Sequence, residues 1–216
     1  VFPYWDMNYP RAEDIPIPSS DEAAIEQFKE IFDDAVKTRL RADVPVGCYL
    51  SGGLDSCAVL GLAQQHLDRP IRAFTLSFDH TDYDETPIAK EMAEHCGAEF
   101  STIPITQDEL ADNLAGGVLA CETFFYNAHG IAKFLLSRSV RDDGYKVVLT
   151  GEGSDEMMAG YPHWRQDMLF HNAAGQDPDE VAKLLQQLKE ENKVSSGLLL
   201  AEGGEDTSKL SPMLHN

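Results

Sequence analysis

The sequence lacks the features of a membrane-spanning protein and of a secreted one. No apolar run reaches the roughly 20 residues needed to cross a bilayer. The first residues carry neither a basic flank nor the apolar stretch of a signal peptide, and they include no initiator methionine. We therefore expect a cytoplasmic protein without membrane contact, and we interpret the sequence as a piece of a longer chain.

Cysteine is scarce and scattered. The four cysteines, Cys48, Cys57, Cys96 and Cys121, form no CxxC pair. Zinc sites need clustered ligands, and disulfide scaffolds need more cysteines in a shorter chain. We expect reduced cysteines in or near the core of the protein.

Positive charge is also in short supply. Only 17 basic residues face 37 acidic ones, which gives a formal net charge of −20. Such a surface repels phosphate backbones, so nucleic acid is excluded as a partner. A smaller phosphate ligand would need local attraction from backbone N–H groups, a helix N-terminus or Mg²⁺.

The apolar pattern predicts strands that alternate with helices. Predicted strands cover 44–50, 71–78, 100–105 and 145–150, and predicted helices cover 57–67, 84–96, 107–120, 129–141 and 177–191, after a first helix that starts at residue 21. This alternation is typical of βαβ units and predicts an α/β fold, a parallel twisted sheet with helices on both faces. We expect a linker or strand over 1–20, a domain over 21–171 and a helical, partly irregular tail over 172–216.

Two predicted helices carry specific expectations about caps and burial. We expect Asp21 and Asp84 to cap them. Helical spacing predicts inward-facing residues in both, namely Ile25, Phe28, Ile31, Phe32, Ala35 and Val36 in the first and Ile88, Ala89, Met92 and Ala93 in the second.

A glycine-rich segment joins the first predicted strand to its helix, with the sequence Ser51-Gly52-Gly53-Leu54-Asp55-Ser56. Glycines allow close backbone approach, and the first N–H groups of the helix point out of its positive end. These features predict a phosphate cradle, with Asp55 as a Mg²⁺ ligand. No GxxxxGK[ST] pattern occurs, so this is not the loop of kinases and GTPases. The alternative is a simple turn with Asp55 as helix cap.

A second such segment follows the last predicted strand, with the sequence Gly151-Glu152-Gly153-Ser154-Asp155-Glu156. In parallel sheets, ligands bind at the carboxyl ends of the strands. We therefore expect both segments on the same edge of the sheet, with aspartates from the two able to bridge a metal ion.

The first segment resembles the pyrophosphate loop (PP-loop) of the N-type ATP pyrophosphatases. The second, followed by Ala159-Gly160-Tyr161, resembles the ATP site of asparagine synthetases, and the likeness extends from Tyr4 to Tyr161. The resemblance implies an adenine nucleotide α-hydrolase fold and an ATP-dependent amide-forming ligase (an amidotransferase). A carboxylate would attack the α-phosphorus of ATP to give acyl-AMP and pyrophosphate, and ammonia or another amine would then displace AMP.

The resemblance also implies roles for individual residues. The implied ATP-binding residues are Leu50, Ser51, Gly52, Gly53, Asp55, Ser56, Leu76, Thr150 and Gly151. Asp55 and Asp155 would share Mg²⁺ and serve catalysis with Glu152, which would lie near the α-phosphate and the acyl group. Glu122 would contact the acceptor substrate together with Glu152. Thr150 and Ala159 replace a commoner Ser and Gly.

Three departures from the family pattern bear on function. The chain starts at Val1 and holds no N-terminal cysteine, so we expect the glutaminase domain of glutamine-dependent members to be missing from it. The tail shows no match to the helical region with a catalytic Lys-Glu pair. The stretch 124–130 is more aromatic than an aspartate pocket, so the acceptor is either aspartate or a different acid.

Other functions remain open alternatives. One is a nucleotide-binding module without turnover, and another is an ATP pyrophosphatase that acts on a different acceptor. A third, a protein-interaction domain, would have no need for Asp55 and Asp155. The sequence does not determine the oligomeric state and is compatible with a homodimer.

Overall fold

The computed structural model describes residues 1–6, 14, 18–78, 84–161, 164, 169 and 177–191. The chain divides into two compact units, Val1–Thr150 and Gly151–Asn216. The predicted boundary after residue 171 falls within the second unit and stays a prediction. Residues 7–13 and 15–17 of the predicted linker, and the irregular part of the predicted tail after residue 191, lie outside the described residues.

A four-stranded parallel sheet forms the centre of the first unit. Its strands are β1 (Val46–Tyr49), β2 (Arg72–Phe78), β3 (Glu99–Ile105) and β4 (Val147–Leu149), in the order β3-β2-β1-β4. All neighbouring strands pair in parallel, and Cys48 lies between Ala73 and Leu149. The chain moves outward from β1 to β3 on one side and returns to place β4 on the other, so β1 is the point where the order reverses. The predicted parallel sheet is confirmed.

Among the described residues, six helices belong to the first unit and two to the second. They are α1 (Asp21–Arg39), α2 (Leu54–Gln65), α3 (Thr86–Cys96), α4 (Gln107–Asp112), α5 (Leu114–Cys121), α6 (His129–Asp142), α7 (Ser154–Met158) and α8 (Pro178–Glu191). The single helix predicted over 107–120 is two helices, because Asn113 ends α4 and its amide donates to the Glu109 carbonyl at 2.8 Å. Among the described helices, none is long and apolar enough to span a membrane.

Helices α1, α2 and α3 cover one face of the sheet. Alternate strand residues such as Cys48, Ala73 and Leu149 pack there against Leu60 and Ala89. Cys48 is fully buried, and burial raises the pKa of its thiol to about 12. The neutral Cys48 thiol is therefore a core side chain, as predicted.

Helix α6 covers the opposite face. Phe74 packs against Leu136 and Val140, and Ile105 at the end of β3 packs against Ile131. Helix α5 packs on α6, and α4 contacts α5. The prediction of helices on both faces is confirmed.

Several predictions of burial and capping were wrong. Ile25, Ile31 and Ile88 are 54%, 62% and 59% exposed, because among the described residues no layer covers those parts of α1 and α3. Phe28 is 44% exposed, and Cys121 is exposed at the end of α5 rather than in or near the core.

The caps are also shifted by one residue. Ser20, not Asp21, caps α1, since its hydroxyl accepts from the Ala23 N–H at 3.2 Å. Glu85 occupies the cap position of α3, while Asp84 accepts from the Thr86 N–H one step earlier. In both places an acidic residue was correctly placed near a helix N-terminus but not at its cap.

Candidate active site at the carboxyl edge of the sheet

The segment Ser51–Ser56, here called the phosphate loop, follows β1 at the point where the strand order reverses. The Leu50 N–H donates to the Phe74 carbonyl at 2.9 Å, so the ladder between β1 and β2 runs to the start of the loop. Helix α2 begins at Leu54, three residues earlier than predicted, because Gly53 rather than a later residue is its N-cap. Asp55 and Ser56 therefore lie in the first helical turn.

Two serine hydroxyls close the phosphate loop. Ser56 Oγ lies 3.1 Å from Ser51 Oγ, accepts from the Ser51 N–H at 3.2 Å and donates to the Gly53 carbonyl at 3.1 Å. Ser51 Oγ in turn accepts from the Gly53 N–H at 3.2 Å. Ser56 is only 8% exposed. Its hydroxyl thus shapes the loop from inside, and a direct bond to phosphate stays a prediction.

The first turn of α2 offers the groups that an anion and a hard cation require. The first helical bond runs from the Cys57 N–H to the Gly53 carbonyl, so the N–H groups of Leu54, Asp55 and Ser56 have no acceptor within the helix. In the part of the chain that the structure describes, no side chain hydrogen-bonds or pairs with the half-buried Asp55 carboxylate. A phosphate with Mg²⁺ fits this donor set.

Gly52 fits the phosphate loop against α3. Its φ is +85°, and a Cβ there would lie 3.2 Å from Ile88 Cβ and 3.3 Å from the Ala89 nitrogen. Gly53 differs, with φ of −69° and only the Ser51 hydroxyl near its Cβ position. Of the two glycines, only Gly52 therefore lies against the first turn of α3. Nothing in the sequence pattern marked Ile88 as this neighbour.

Leu50 and Leu76, the two leucines predicted to line adenosine, lie on opposite faces of the sheet. Leu50 is 2% exposed and packs with the α1–α3 face, while Leu76 packs against the α6 face. The Leu50 side chain is therefore part of the core, and its contact with adenosine stays a prediction. The neighbouring Thr75 is 1% exposed, and its hydroxyl donates to the Leu50 carbonyl at 2.7 Å, a contact that no local sequence pattern indicates.

The second glycine-rich segment, Gly151–Glu156, opens the second unit and contains the start of α7. Gly153 has φ of +89° and caps this short helix, and the Ser154 hydroxyl donates to the Gly151 carbonyl at 2.8 Å. A Cβ on Gly160 would overlap the Asp155 carboxylate, which therefore occupies the space that glycine leaves open. In the described part of the chain, no side chain hydrogen-bonds or pairs with the Asp155 carboxylate.

Tyr161 forms a hydrogen bond with Glu156, the last residue of this segment. Its hydroxyl donates to Glu156 at 2.8 Å. This bond lowers the pKa of Glu156 and raises the pKa of Tyr161. Glu152 is exposed and has a partner within the chain.

Glu122 lies in an aromatic loop that follows α5. Its φ of +53° is unusual for a residue with a side chain, and Phe124 and Tyr126 are 88% and 98% exposed. Between them Phe125 packs against the cluster that contains Ile105, at the carboxyl end of β3. Phe125 therefore lies at the carboxyl edge of the sheet, and the contact of Glu122 with an acceptor stays a prediction.

The structure places the phosphate loop directly after β1 and Leu76 near the carboxyl end of β2, at one edge of the sheet. Thr150 joins them, because it follows β4, the parallel neighbour of β1. The roles of Glu152, Asp155 and Gly151 in a common site remain predictions. Across the described residues, no cluster of three His, Cys, Asp or Glu side chains suited to a metal is found.

Comparison with known proteins identifies the family. The sequence profile described as asparagine synthase matches residues 27–210. This chain belongs to the asparagine synthase family. The family assignment confirms the resemblance that the two glycine-rich segments indicated.

Relatives of this asparagine synthase family member carry two kinds of name. The amidase chyE of Penicillium rubens is 34% identical over 181 residues, covering 77% of this chain and 27% of the amidase. The amidase chry2 of Gibberella zeae is 32% identical over 181 residues, with the same coverages of 77% and 27%. The glutamine-hydrolyzing asparagine synthetase of Bos taurus is 29% identical over 177 residues, covering 77% and 30%. The chain therefore spans less than a third of these relatives.

Among solved structures, the NH3-dependent NAD synthetase of Campylobacter jejuni is similar at a TM-score of 0.42 and 15% identity, covering 83% of this chain and 99% of the synthetase.

Proposed function

We propose that this chain is the ATP-binding, carboxylate-activating part of an ATP-dependent amide-forming ligase. The observation that carries the proposal is the phosphate loop. In a member of the asparagine synthase family, three N–H groups without helical acceptors and one carboxylate without a partner among the described residues meet at the first turn of α2. That combination suits the phosphates of a nucleotide and the cation that accompanies them.

The phosphates of ATP would be held by main-chain and hydroxyl groups rather than by lysine. Ser51 and Gly53 would contact the β- and γ-phosphates, with the N–H groups at the start of α2 behind them. A chain with a net charge of −20 would repel a nucleotide, but this arrangement would attract the phosphates locally, through fixed dipoles. Leu50, Leu76, Thr150 and Gly151 are proposed to line the adenosine.

Asp55 and Asp155 are proposed as the protein ligands of Mg²⁺. Each is half-buried, and neither has a partner among the described residues that would neutralise it. Whether both ligate one ion stays a prediction. When bound, Mg²⁺ would stabilise the negative charge that develops on pyrophosphate as it leaves.

The remaining acids are proposed to serve the acceptor. Glu152 would lie near the α-phosphate and the activated acyl group, and Glu122 would contact the acceptor carboxylic acid. The acid is aspartate or a different carboxylic acid, and ammonia or an amine completes the amide. Relatives named asparagine synthetase and relatives named amidase support amide chemistry. The protein groups mainly position and neutralise charge.

Calorimetric titration with ATP, with and without Mg²⁺, tests the nucleotide site. We expect binding that requires Mg²⁺ and is lost in Asp55→Asn. Asp21→Asn is the matched control, because Asp21 is an acid in the first turn of α1, where no phosphate loop precedes the helix. Equal loss in both variants, or retained binding in a folded Asp55→Asn protein, would contradict the assignment of Asp55.

Pyrophosphate release in the presence of different carboxylic acids tests the chemistry. We expect release with aspartate or another acid, and loss of release in Asp155→Asn and in Gly160→Ala, which displaces the Asp155 carboxylate. ATP binding without pyrophosphate release from any acid would favour the alternative, a nucleotide-binding module. The coverage of less than a third of the relatives is the observation that keeps this alternative open.

A further inference from the structure

We infer that Thr75 is a positioning residue of the phosphate loop, whose buried hydroxyl fixes the peptide that leads into the loop. The part of this inference that concerns ATP rests on the proposed function, and the part that concerns the loop does not. Thr75 lies in the middle of β2, 1% exposed, and donates to the Leu50 carbonyl at 2.7 Å.

The hydrogen bond acts where the backbone ladder between β1 and β2 ends. The Leu50 N–H still follows the parallel pattern and donates to the Phe74 carbonyl. The Leu50 carbonyl is buried with its residue, which is 2% exposed, and its acceptor capacity is used by the Thr75 side chain. A buried carbonyl needs a donor, so the Thr75 hydroxyl provides one at the position where the chain turns away from the sheet.

One rigid peptide links this hydrogen bond to the loop. The Leu50 carbonyl and the Ser51 N–H belong to the same planar unit, so fixing one orients the other. The Ser51 N–H donates to Ser56 Oγ, which also donates to the Gly53 carbonyl. The Thr75 hydroxyl therefore restrains the orientation of the donor that closes the loop on the first turn of α2.

A structural role alone and a positioning role predict different results when the hydroxyl is removed. A purely structural Thr75 would lower stability everywhere and leave the loop unchanged in the folded state. A positioning Thr75 would loosen the Ser51 and Gly53 amides selectively while distant amides keep their protection. Valine has nearly the same shape as threonine, so Thr75→Val removes the donor with little change in packing.

Amide hydrogen exchange, measured residue by residue by NMR, tests the loop part. In Thr75→Val we expect exchange at Ser51 to rise about tenfold, with exchange in α6 unchanged. Thr75→Ser, which keeps the donor, should return the rate to within about twofold of the parent. Thr102→Val is the control, since Thr102 pairs with Thr75 in register but is exposed on β3. Thr75→Ala provides a second variant without the donor if Thr75→Val does not fold.

Calorimetry with Mg²⁺ and ATP on the same proteins, under conditions where each is fully folded, tests the link to binding. We expect the Kd to rise about tenfold in Thr75→Val and to recover in Thr75→Ser. A uniform rise in exchange, an unchanged Ser51 amide, or an unchanged Kd would overturn the inference. If the parent chain binds no ATP, the proposed function fails, and the exchange data still decide whether Thr75 positions the loop.

Discussion

Replacing Gly52 by alanine should destabilise the protein for two separable reasons. The first is conformational: φ of +85° is a left-handed backbone, which costs alanine about 1–2 kcal/mol. The second is steric: the new Cβ would lie 3.2 Å from Ile88 Cβ and 3.3 Å from the Ala89 nitrogen. Backbone cannot rotate aside, so we assign about 1–3 kcal/mol to this overpacking. The expected loss for Gly52→Ala is thus about 2–5 kcal/mol.

Two matched variants separate the conformational cost of Gly52→Ala from its steric cost. Gly144 has φ of +89° with nothing within 4 Å of its Cβ position, so Gly144→Ala should show the conformational cost alone. Gly53 has φ of −69°, and its Cβ would meet only the Ser51 hydroxyl, which can rotate. Gly53→Ala should therefore cost about 1 kcal/mol or less.

Urea unfolding of the three variants gives the free energies of unfolding, and the difference between Gly52→Ala and Gly144→Ala measures the contact with α3. Equal losses in these two variants would show that the contact contributes nothing. A loss in Gly52→Ala no larger than that in Gly53→Ala would refute both terms. Binding of ATP with Mg²⁺ should weaken in Gly52→Ala, because the turn moves relative to the first N–H groups of α2.

Three further predictions concern the aromatic loop and the second unit. Gly130→Ala should lower the free energy of unfolding by about 1–3 kcal/mol and change the near-ultraviolet circular dichroism, because a Cβ there overlaps the Phe125 ring. Ala159→Gly should raise the free energy of unfolding by about 1 kcal/mol, since Ala159 has φ of +54°. Glu156→Gln should lower the pKa of Tyr161, seen by ultraviolet titration of the phenol, because the Glu156 carboxylate raises that pKa by accepting a hydrogen bond from the neutral phenol.

Control substitutions test the predictions for Gly130 and Ala159. Gly116→Ala should not destabilise, because its Cβ would meet Phe134 at an ordinary 3.8 Å. Ala120→Gly, in α5, should lower the free energy of unfolding, whereas Ala159→Gly should raise it.

The hydrogen bond between Tyr161 and Glu156 should stabilise the folded protein fully at pH values above the usual pKa of glutamate and below the usual pKa of tyrosine. Its contribution is lost as the pH falls through the lowered pKa of Glu156 or rises through the raised pKa of Tyr161.

The sequence predicted the sheet well because its strands are bounded by unambiguous signals. β2 and β3 differ from prediction by one residue at one end, since apolar runs with few alternatives form buried strands. The start of α2 was missed because its N-cap, Gly53, carries no side chain to signal the cap. Helical spacing wrongly predicted that Ile25 and Ile31 are buried, because spacing does not show whether another element covers that part of α1.

Contacts between distant segments could not be predicted from local pattern. Thr75 looks like any strand residue, and its partner Leu50 lies 25 positions earlier in the chain. The contact of Gly52 with Ile88 joins a loop to the helix of the next βαβ unit. Each depends on the parallel register of β1 with β2, which the sequence implies only after the fold is known.

These distant contacts explain how a strongly acidic chain could offer a phosphate site. Thr75 restrains the peptide before Ser51, Ser56 closes the loop from α2, and Gly52 sets it against α3. A loop restrained from three elements before a ligand arrives loses little conformational freedom on binding, so more of the gross interaction energy remains as affinity. Because the N–H groups without helical acceptors lie together in the first turn of α2, their attraction is local, whereas the repulsion from a net charge of −20 is spread over the surface and screened by salt. On this reasoning, added salt should weaken ATP binding far less than loss of the Thr75 hydroxyl does. A stronger effect of salt would show that the binding energy comes from the overall charge of the protein rather than from the loop.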